Sequence, residues 1–161
     1  MVYGGHKQSM NDGIKVKGAY RLQITEDGKI VGDSGWHENA ITNLGFNWYL
    51  AGLLGKITGS SQIGYAALGT GGVPATGDTT LGGEVASRAA VTAATSSSSK
   101  AVQFTATFSS SNSFLAGTSN ISNIGLFATN ASGTLFAGNT YASSSCATNQ
   151  DVNVTYTVSF S

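Results

Sequence analysis

Few side chains in this sequence are placed to do chemistry, and they fall in four places. Glu84 and Arg88 form an acid–base pair at the end of a Gly/Thr-rich stretch, Ile63 to Arg88, that holds the only proline, Pro74. Trp36, His37 and Glu38 set an aromatic ring, an imidazole and a carboxylate side by side. Gly69-Thr70-Gly71-Gly72 offers backbone N–H groups of the kind that cradle an anion. Cys146 is the lone thiol.

Each has a chemical reading and a plainer one. The glycine run lacks the Gly-x-x-x-x-Gly-Lys and Gly-x-Gly-x-x-Gly spacings of phosphate loops. Pro74 and Gly77 follow where a helix should start, so the run reads as a wide loop between strands. Glu84 and Arg88 have almost no charged neighbours in sequence and read as a structural ion pair that fixes this loop. Catalysis by His37 and Glu38 requires partners at defined geometry that the sequence does not offer, whereas packing at a surface or interface requires none. A single cysteine forms no internal disulfide and fits none of the paired metal spacings, and Cys146 reads as a structural or incidental thiol in a Ser-rich loop. With no nucleophile elbow, paired carboxylates or His/Cys ligand set, the expectation is a non-enzyme without metal or cofactor.

Composition narrows the partners. A chain of 161 residues is one domain in size and buries about 70% of its unfolded surface. Its net charge is zero and only 10% of residues are charged, which argues against nucleic acid or an anionic membrane as partner. Eleven of the 16 charged residues lie in positions 1–56, so the rest of the surface must be Ser, Thr, Asn and Gly, or be covered by other protein. No segment approaches the run of about 18 apolar residues of a membrane span, and the start lacks a signal-peptide pattern. The expectation is a soluble protein made in a cytoplasm.

The elements that must position these residues are mostly strands. Residues 1–13 are polar and Gly-rich and read as a flexible arm, followed by a single domain over 14–161. Ile14, Val16, Gly18, Tyr20, Leu22 and Ile24 alternate with polar neighbours as a half-buried strand, and Asp27-Gly28 supplies a tight turn back through Lys29, Ile30 and Val31. Thr42 or Asn43 can cap a helix carrying Leu44, Trp48, Leu50, Ala51, Leu53 and Leu54, with Gly55 as its stop. Val102, Phe104, Ala106 and Phe108 mark another strand, then a loop over Ser109 to Ser113. Ile121 to Ala128 and Thr134 to Tyr141 form a hairpin about Asn130-Ala131-Ser132-Gly133, suited to a type I turn closed by a left-handed glycine. Ser143 to Gln150 reads as a polar loop, and Val152, Val154, Tyr156, Val158 and Phe160 as the inward side of a last strand. Together these predict a mainly β fold: an antiparallel β-sandwich, jelly-roll or immunoglobulin-like in outline, with one short helix.

The order of several of these pieces resembles a known family. Asn43-Leu44-Gly45 is followed by an apolar strand ending in Leu68-Gly69-Thr70-Gly71, a Pro/Thr/Asp loop with Asp78-Thr79-Thr80-Leu81, then Glu84 and Arg88. Gly125-Leu126-Phe127, the turn at Asn130 to Gly133 and Leu135-Phe136 come after. This series, over Asn39 to Ser161, is similar to small virion structural proteins of tailed bacteriophages. One departure is Asn123-Ile124, where the family carries an acidic residue before Gly-Leu-Phe. The resemblance implies a capsid decoration or cement protein on the virion surface, with the major capsid protein and its own copies, as a homotrimer, for partners. Its alternative is a tail-fibre or baseplate module that binds a receptor or glycan, with Trp36, Tyr141 or Tyr156 as stacking platforms. Because charge concentrates near the start, Lys15, Lys17 and Arg21, with Trp36 and His37, are the expected capsid contacts.

Overall fold

The computed structural model describes residues 15–45, 49, 62–85, 87–95 and 101–160. The expected arm over residues 1–13 lies outside them. Among the described residues ten strands follow in chain order: β1 (Val16–Glu26), β2 (Lys29–Asp33), β3 (His37–Ile41), β4 (Tyr65–Gly69), β5 (Ala89–Ala90), β6 (Thr92–Thr95), β7 (Ala101–Phe108), β8 (Ser119–Phe127), β9 (Ala137–Cys146) and β10 (Asp151–Phe160).

Every pairing among them is antiparallel, and they form one sheet in the order β5-β4-β8-β9-β3-β1-β10-β7-β6, with β2 alongside β1. The two ends of that order, β5 and β6, are separated in the chain by Val91 alone. The backbone thus steps from one end of the sheet to the other through one residue, whose N–H donates to the Gly64 carbonyl at 3.0 Å. Curling a sheet until its ends meet protects edges that would otherwise face solvent. The mainly antiparallel β class read from the sequence is therefore found, organised as a nearly closed sheet.

Period-2 patterning explains the strands that line the interior. Tyr20, Tyr156 and Phe104 stand in one row across β1, β10 and β7; Leu22, Val154 and Ala106 form the next, and Ile24, Val152 and Phe108 a third. All nine are buried. At about 1.5–3 kcal/mol for each large apolar side chain removed from water, these rows are a main source of stability. The hairpin turn expected between β1 and β2 is also present: Asp27 (φ 48°) and Gly28 (φ 75°) both take the left-handed conformation, which suits the right-handed twist of the flanking strands. A bulge then leaves Val31 as the extra residue in β2, between the partners of Ile24 and Thr25.

Strand β8 is buried on both sides, which plain alternation does not produce. Ile121, Ile124 and Leu126 belong to the main core, while Phe127 packs with Ala67, Leu81 and Leu135 in a second, smaller cluster. A register shift between Ile121 and Asn123 lets one strand serve both. The second cluster lies beneath the Gly/Thr loop after β4, a common arrangement under long loops.

Two local expectations need correction. The polar loop assigned to Ser143–Gln150 is shorter, because β9 continues to Cys146. Its Ser119, Asn120 and Ile121 partners in β8 need only backbone groups, so serines are accommodated. Cys146 consequently ends a strand and is buried in the core instead of sitting in a loop. Second, β9 starts at Ala137 and not Thr134, since the Leu135 N–H is drawn away to the Thr79 carbonyl at 2.9 Å. In the preceding turn both Ser132 (φ 56°) and Gly133 (φ 82°) are left-handed, so the left-handed glycine is present but shares that conformation with its neighbour. The loop expected at Ser109–Ser113 is found, and it contains a 3-10 turn, Ser110–Asn112. Of the expected helix, the described part is α1 (Asn43–Gly45). The Thr42 hydroxyl accepts from the Gly45 N–H at 2.9 Å, so Thr42 is the residue that caps it. Trp48, Leu50, Ala51, Leu53, Leu54 and Gly55 fall outside the described residues.

Candidate interaction surface

The loop between β4 and β5 is tied down at both ends. Backbone bonds from Thr70 to Gly83 (3.0 Å), Gly71 to Gly82 (3.1 Å) and Val85 to Leu68 (2.8 Å) zip its stem. Arg88 then clamps the far side. Its guanidinium holds both carboxylate oxygens of Glu84, Nη2 to Oε2 at 3.0 Å, and donates through Nη1 to the carbonyls of Thr129 (2.9 Å) and Ser132 (2.6 Å). It also lies 3.5 Å from the centroid of the Phe127 ring. Only 5% of the Arg88 side chain is exposed, against 26% of Glu84. The ion pair read from the sequence therefore exists, and it joins the loop to β8 and to the turn before β9. An arginine with four of its five N–H donors engaged in this way acts as a structural clamp.

Asn123 is a second clamp, one that no periodic pattern marks. It is fully buried, and its amide donates to the carbonyls of Gly82 (3.0 Å) and Gly72 (3.3 Å) on the overlying loop. A carboxylate at this place would meet those carbonyls with no proton to give. Close approach also explains Gly69, where an added Cβ would come within 2.3 Å of the Asn123 Oδ1 and 2.7 Å of the Gly82 carbonyl.

On the other side of the molecule the charged hairpin is distributed differently from expectation. Lys15 and Lys17 are exposed, and no side-chain hydrogen bond or ion pair joins either to another described residue. Lys17 and Arg21 share the outer side of β1, about 13 Å apart at strand rise. Arg21, however, is committed: its guanidinium grips Asp33 with two bonds, Nε to Oδ1 at 3.0 Å. Asp33 also receives the Gly35 N–H at 2.9 Å and the Gln23 amide at 3.2 Å. The Arg21 hydrogen bonds, then that N–H and the amide, hold the Asp33 carboxyl well below the usual carboxylate range. So Lys15, just before β1, and Lys17 within it have no side-chain partner among the described residues, while Arg21 is neutralised.

The aromatic candidates separate by burial. Trp36 is 53% exposed. His37 is half-buried, stacked on Tyr20 at 5.6 Å with a ring nitrogen 2.7 Å from the Ser34 carbonyl, so it fastens β3 and offers little to a partner. Tyr156 is wholly buried, with Tyr20 stacked at 6.1 Å and the Asn39 amide donating to its hydroxyl. Tyr141 packs against the same core. Neither is placed to stack on a ligand, because the strand alternation that buries them leaves only an edge position such as Trp36 in solvent. Burial pushes the Tyr20 phenol up to about 12, and raises Tyr141 and Tyr156 as well.

Two outer surfaces remain. The outward side of β1, β10, β7 and β6 carries Arg21, Thr155, Thr105 and Thr92 in one register row, flanked by Gln23, Asn153 and Thr107 and by Ala19, Thr157, Gln103 and Ala94. This is a broad hydroxyl-rich face with little charge. At its side, β2 leaves Ile30 (57%) and Val31 (54%) exposed. Among the described residues no group of His, Cys, Asp and Glu is arranged to hold a metal ion, and no helix is long and apolar enough to cross a membrane. Comparison with known protein families, curated proteins and solved structures finds no match to this chain.

Proposed function

We propose that this chain is a non-enzymatic structural protein of a bacteriophage virion: a capsid decoration or cement protein that binds the major capsid protein and stabilises the assembled head. The observation that carries the reading is the broad, charge-poor outer face of β1, β10, β7 and β6, rich in Thr, Asn and Gln. Such a face meets a protein neighbour through short side-chain hydrogen bonds at little cost in buried charge. The order of motifs from Asn43 to Phe136 supports the same reading by resemblance. The nearly closed sheet is read as a flattened sandwich of jelly-roll type, and three copies are placed about a local threefold axis of the shell, where identical faces pack laterally.

Attachment falls to the charged side. Lys15 and Lys17, which have no side-chain partner among the described residues, together with Trp36 and residues 1–13, meet the capsid in this proposal. The exposed Trp36 also favours a second reading, a tail-fibre or baseplate module stacking on a glycan. One exposed ring is a narrower basis than the extended face.

The test is where the protein sits in the intact particle and what holds it there. Icosahedral density on the shell, in clusters of three, is the expected result; density at the tail moves the chain to the second reading, and isolated single copies defeat the trimer. Removing residues 1–13 and changing Lys15 and Lys17 to Glu should lower occupancy on undecorated heads while the melting temperature holds. Full occupancy by that variant overturns the attachment surface.

A further inference from the structure

The sheet ends on one side at β6, which has β7 beside it and no described strand beyond. Four residue pairs hold it, from Thr92↔Thr105 to Thr95↔Val102. Thr92, Ala93 and Ala94 are all exposed, so even Ala93, which stands opposite the buried Phe104, seals nothing into the core. The side-chain bond that reaches the strand, from Thr105 Oγ1 to the Thr92 carbonyl, is long at 3.5 Å. Strand β2, also at a margin of the sheet, is fastened in addition by the Arg21–Asp33 pair and by the bonds between Ser34 and Leu22. Among the described residues β6 has no counterpart to these.

The chain just before β6 is firmly anchored. Arg88 is clamped to Glu84 and to the Thr129 and Ser132 carbonyls, Ala89 and Ala90 pair with Ala66 and Tyr65, and the Val91 N–H donates to the Gly64 carbonyl. Between this anchor and β7 there is no ladder, because β7 from Ala106 to Phe108 pairs with β10 alone. An open hollow of about 350 Å³ lies there, with Ala90, Thr92, Thr107 and Asn153 in its lining. An edge strand with little burial and solvent-facing backbone bonds, joined to a fixed point, is the kind of segment that opens locally.

We propose that β6 is a releasable strap: it peels from β7 about a hinge at Val91 while the other described strands stay paired. Opening removes Thr92 from the outward row Thr155–Thr105–Thr92 and bares the β7 edge from Val102 to Thr105. The strap therefore sets how far the hydroxyl-rich face extends. It concerns that face but does not depend on what the face binds.

Native-state hydrogen exchange of the whole chain, followed residue by residue by NMR, tests this. The β6 amides that face β7 should be protected, yet exchange at least about 100-fold faster than those of the β1–β10 ladder. In β7 alternate amides should divide. Those turned to β6 exchange with it and those turned to β10 remain slow, because successive residues of a strand bond to opposite neighbours. Low urea should leave β6 exchange almost unchanged, since peeling exposes little surface, while exchange in the β1–β10 ladder speeds up. Ile24→Val, a mild core change in a strand that is folded whether the strap is open or closed, should raise β1–β10 exchange about two- to tenfold and leave β6 exchange as it was. Equal rates in β6 and β10, a shared urea dependence, or equal responses to Ile24→Val would make the fold one cooperative unit and overturn the strap. Complete lack of protection in β6 would overturn it too, since the strap would never be closed.

Discussion

Replacing Arg88 with Met keeps the length of the stem over Phe127 and removes every charge-assisted bond at once. The Glu84 carboxylate loses its partner, the Thr129 and Ser132 carbonyls lose their donor, and the ring loses its cation. Breaking a largely buried pair from one side costs about 3–5 kcal/mol, because what remains is an unpaired group out of water. Glu84→Gln is milder. Arg88 retains both carbonyls and the ring, and the new amide is partly exposed, so a loss of about 1–3 kcal/mol is expected, in the range of one charge-assisted hydrogen bond. The double variant no longer strands a carboxylate. Its loss should stay near the about 3–5 kcal/mol of Arg88→Met alone and fall short of the sum, giving a coupling of about 1–3 kcal/mol. For a chain of this size about 1 kcal/mol moves Tm by about 2–4 °C, so Arg88→Met should melt about 6–20 °C lower. Urea unfolding of the four proteins in the cycle provides the free energies and calorimetry the Tm values. Additive losses, each under about 0.5 kcal/mol, would show both side chains to be merely solvated and would refute the clamp.

Two further outcomes follow from the same geometry. Asn123→Leu keeps the bulk but leaves the Gly72 and Gly82 carbonyls without their donor; a loss of about 1–3 kcal/mol is expected, with faster hydrogen exchange confined to the stem of the Gly/Thr loop. Unchanged exchange there would mean that the stem's backbone bonds suffice. Alkaline titration tests the tyrosine core. A phenol whose folded pKa is raised contributes its full stabilisation below the unfolded value, near 10, and loses it as pH rises through the folded value, about 12 for Tyr20. Tyrosinate absorbance from Tyr20, Tyr141 and Tyr156 should therefore appear together with loss of circular dichroism, above the ordinary tyrosine range. Complete ionisation near pH 10 with the fold intact would contradict their burial.

The sequence by itself determined what depends on neighbours along the chain. Tyr20, Leu22 and Ile24 in β1, Phe104, Ala106 and Phe108 in β7, and Val152 to Val158 in β10 announce an inward face because a strand turns its side chains over every second residue. Asp27-Gly28 announces its turn because only small or polar residues accept two successive left-handed conformations cheaply. Glu84 and Arg88 announced each other through isolation in a charge-poor stretch. What the tertiary structure alone decided are relations between distant segments. The order of strands, and the near-closure of the sheet through Val91, depend on which hydrogen-bonding edges meet, and edges carry no side-chain code. Asn123 reads as one more polar residue in a strand until the loop 41 to 51 residues away lays two carbonyls over it. Arg88 is a clamp only because Phe127 and the turn at Thr129–Ser132 arrive beside it. Ser143 to Cys146 looked like loop because its side chains prefer water, yet the β8 backbone pairs with it, and a ladder formed by main-chain groups does not require the side chains to agree.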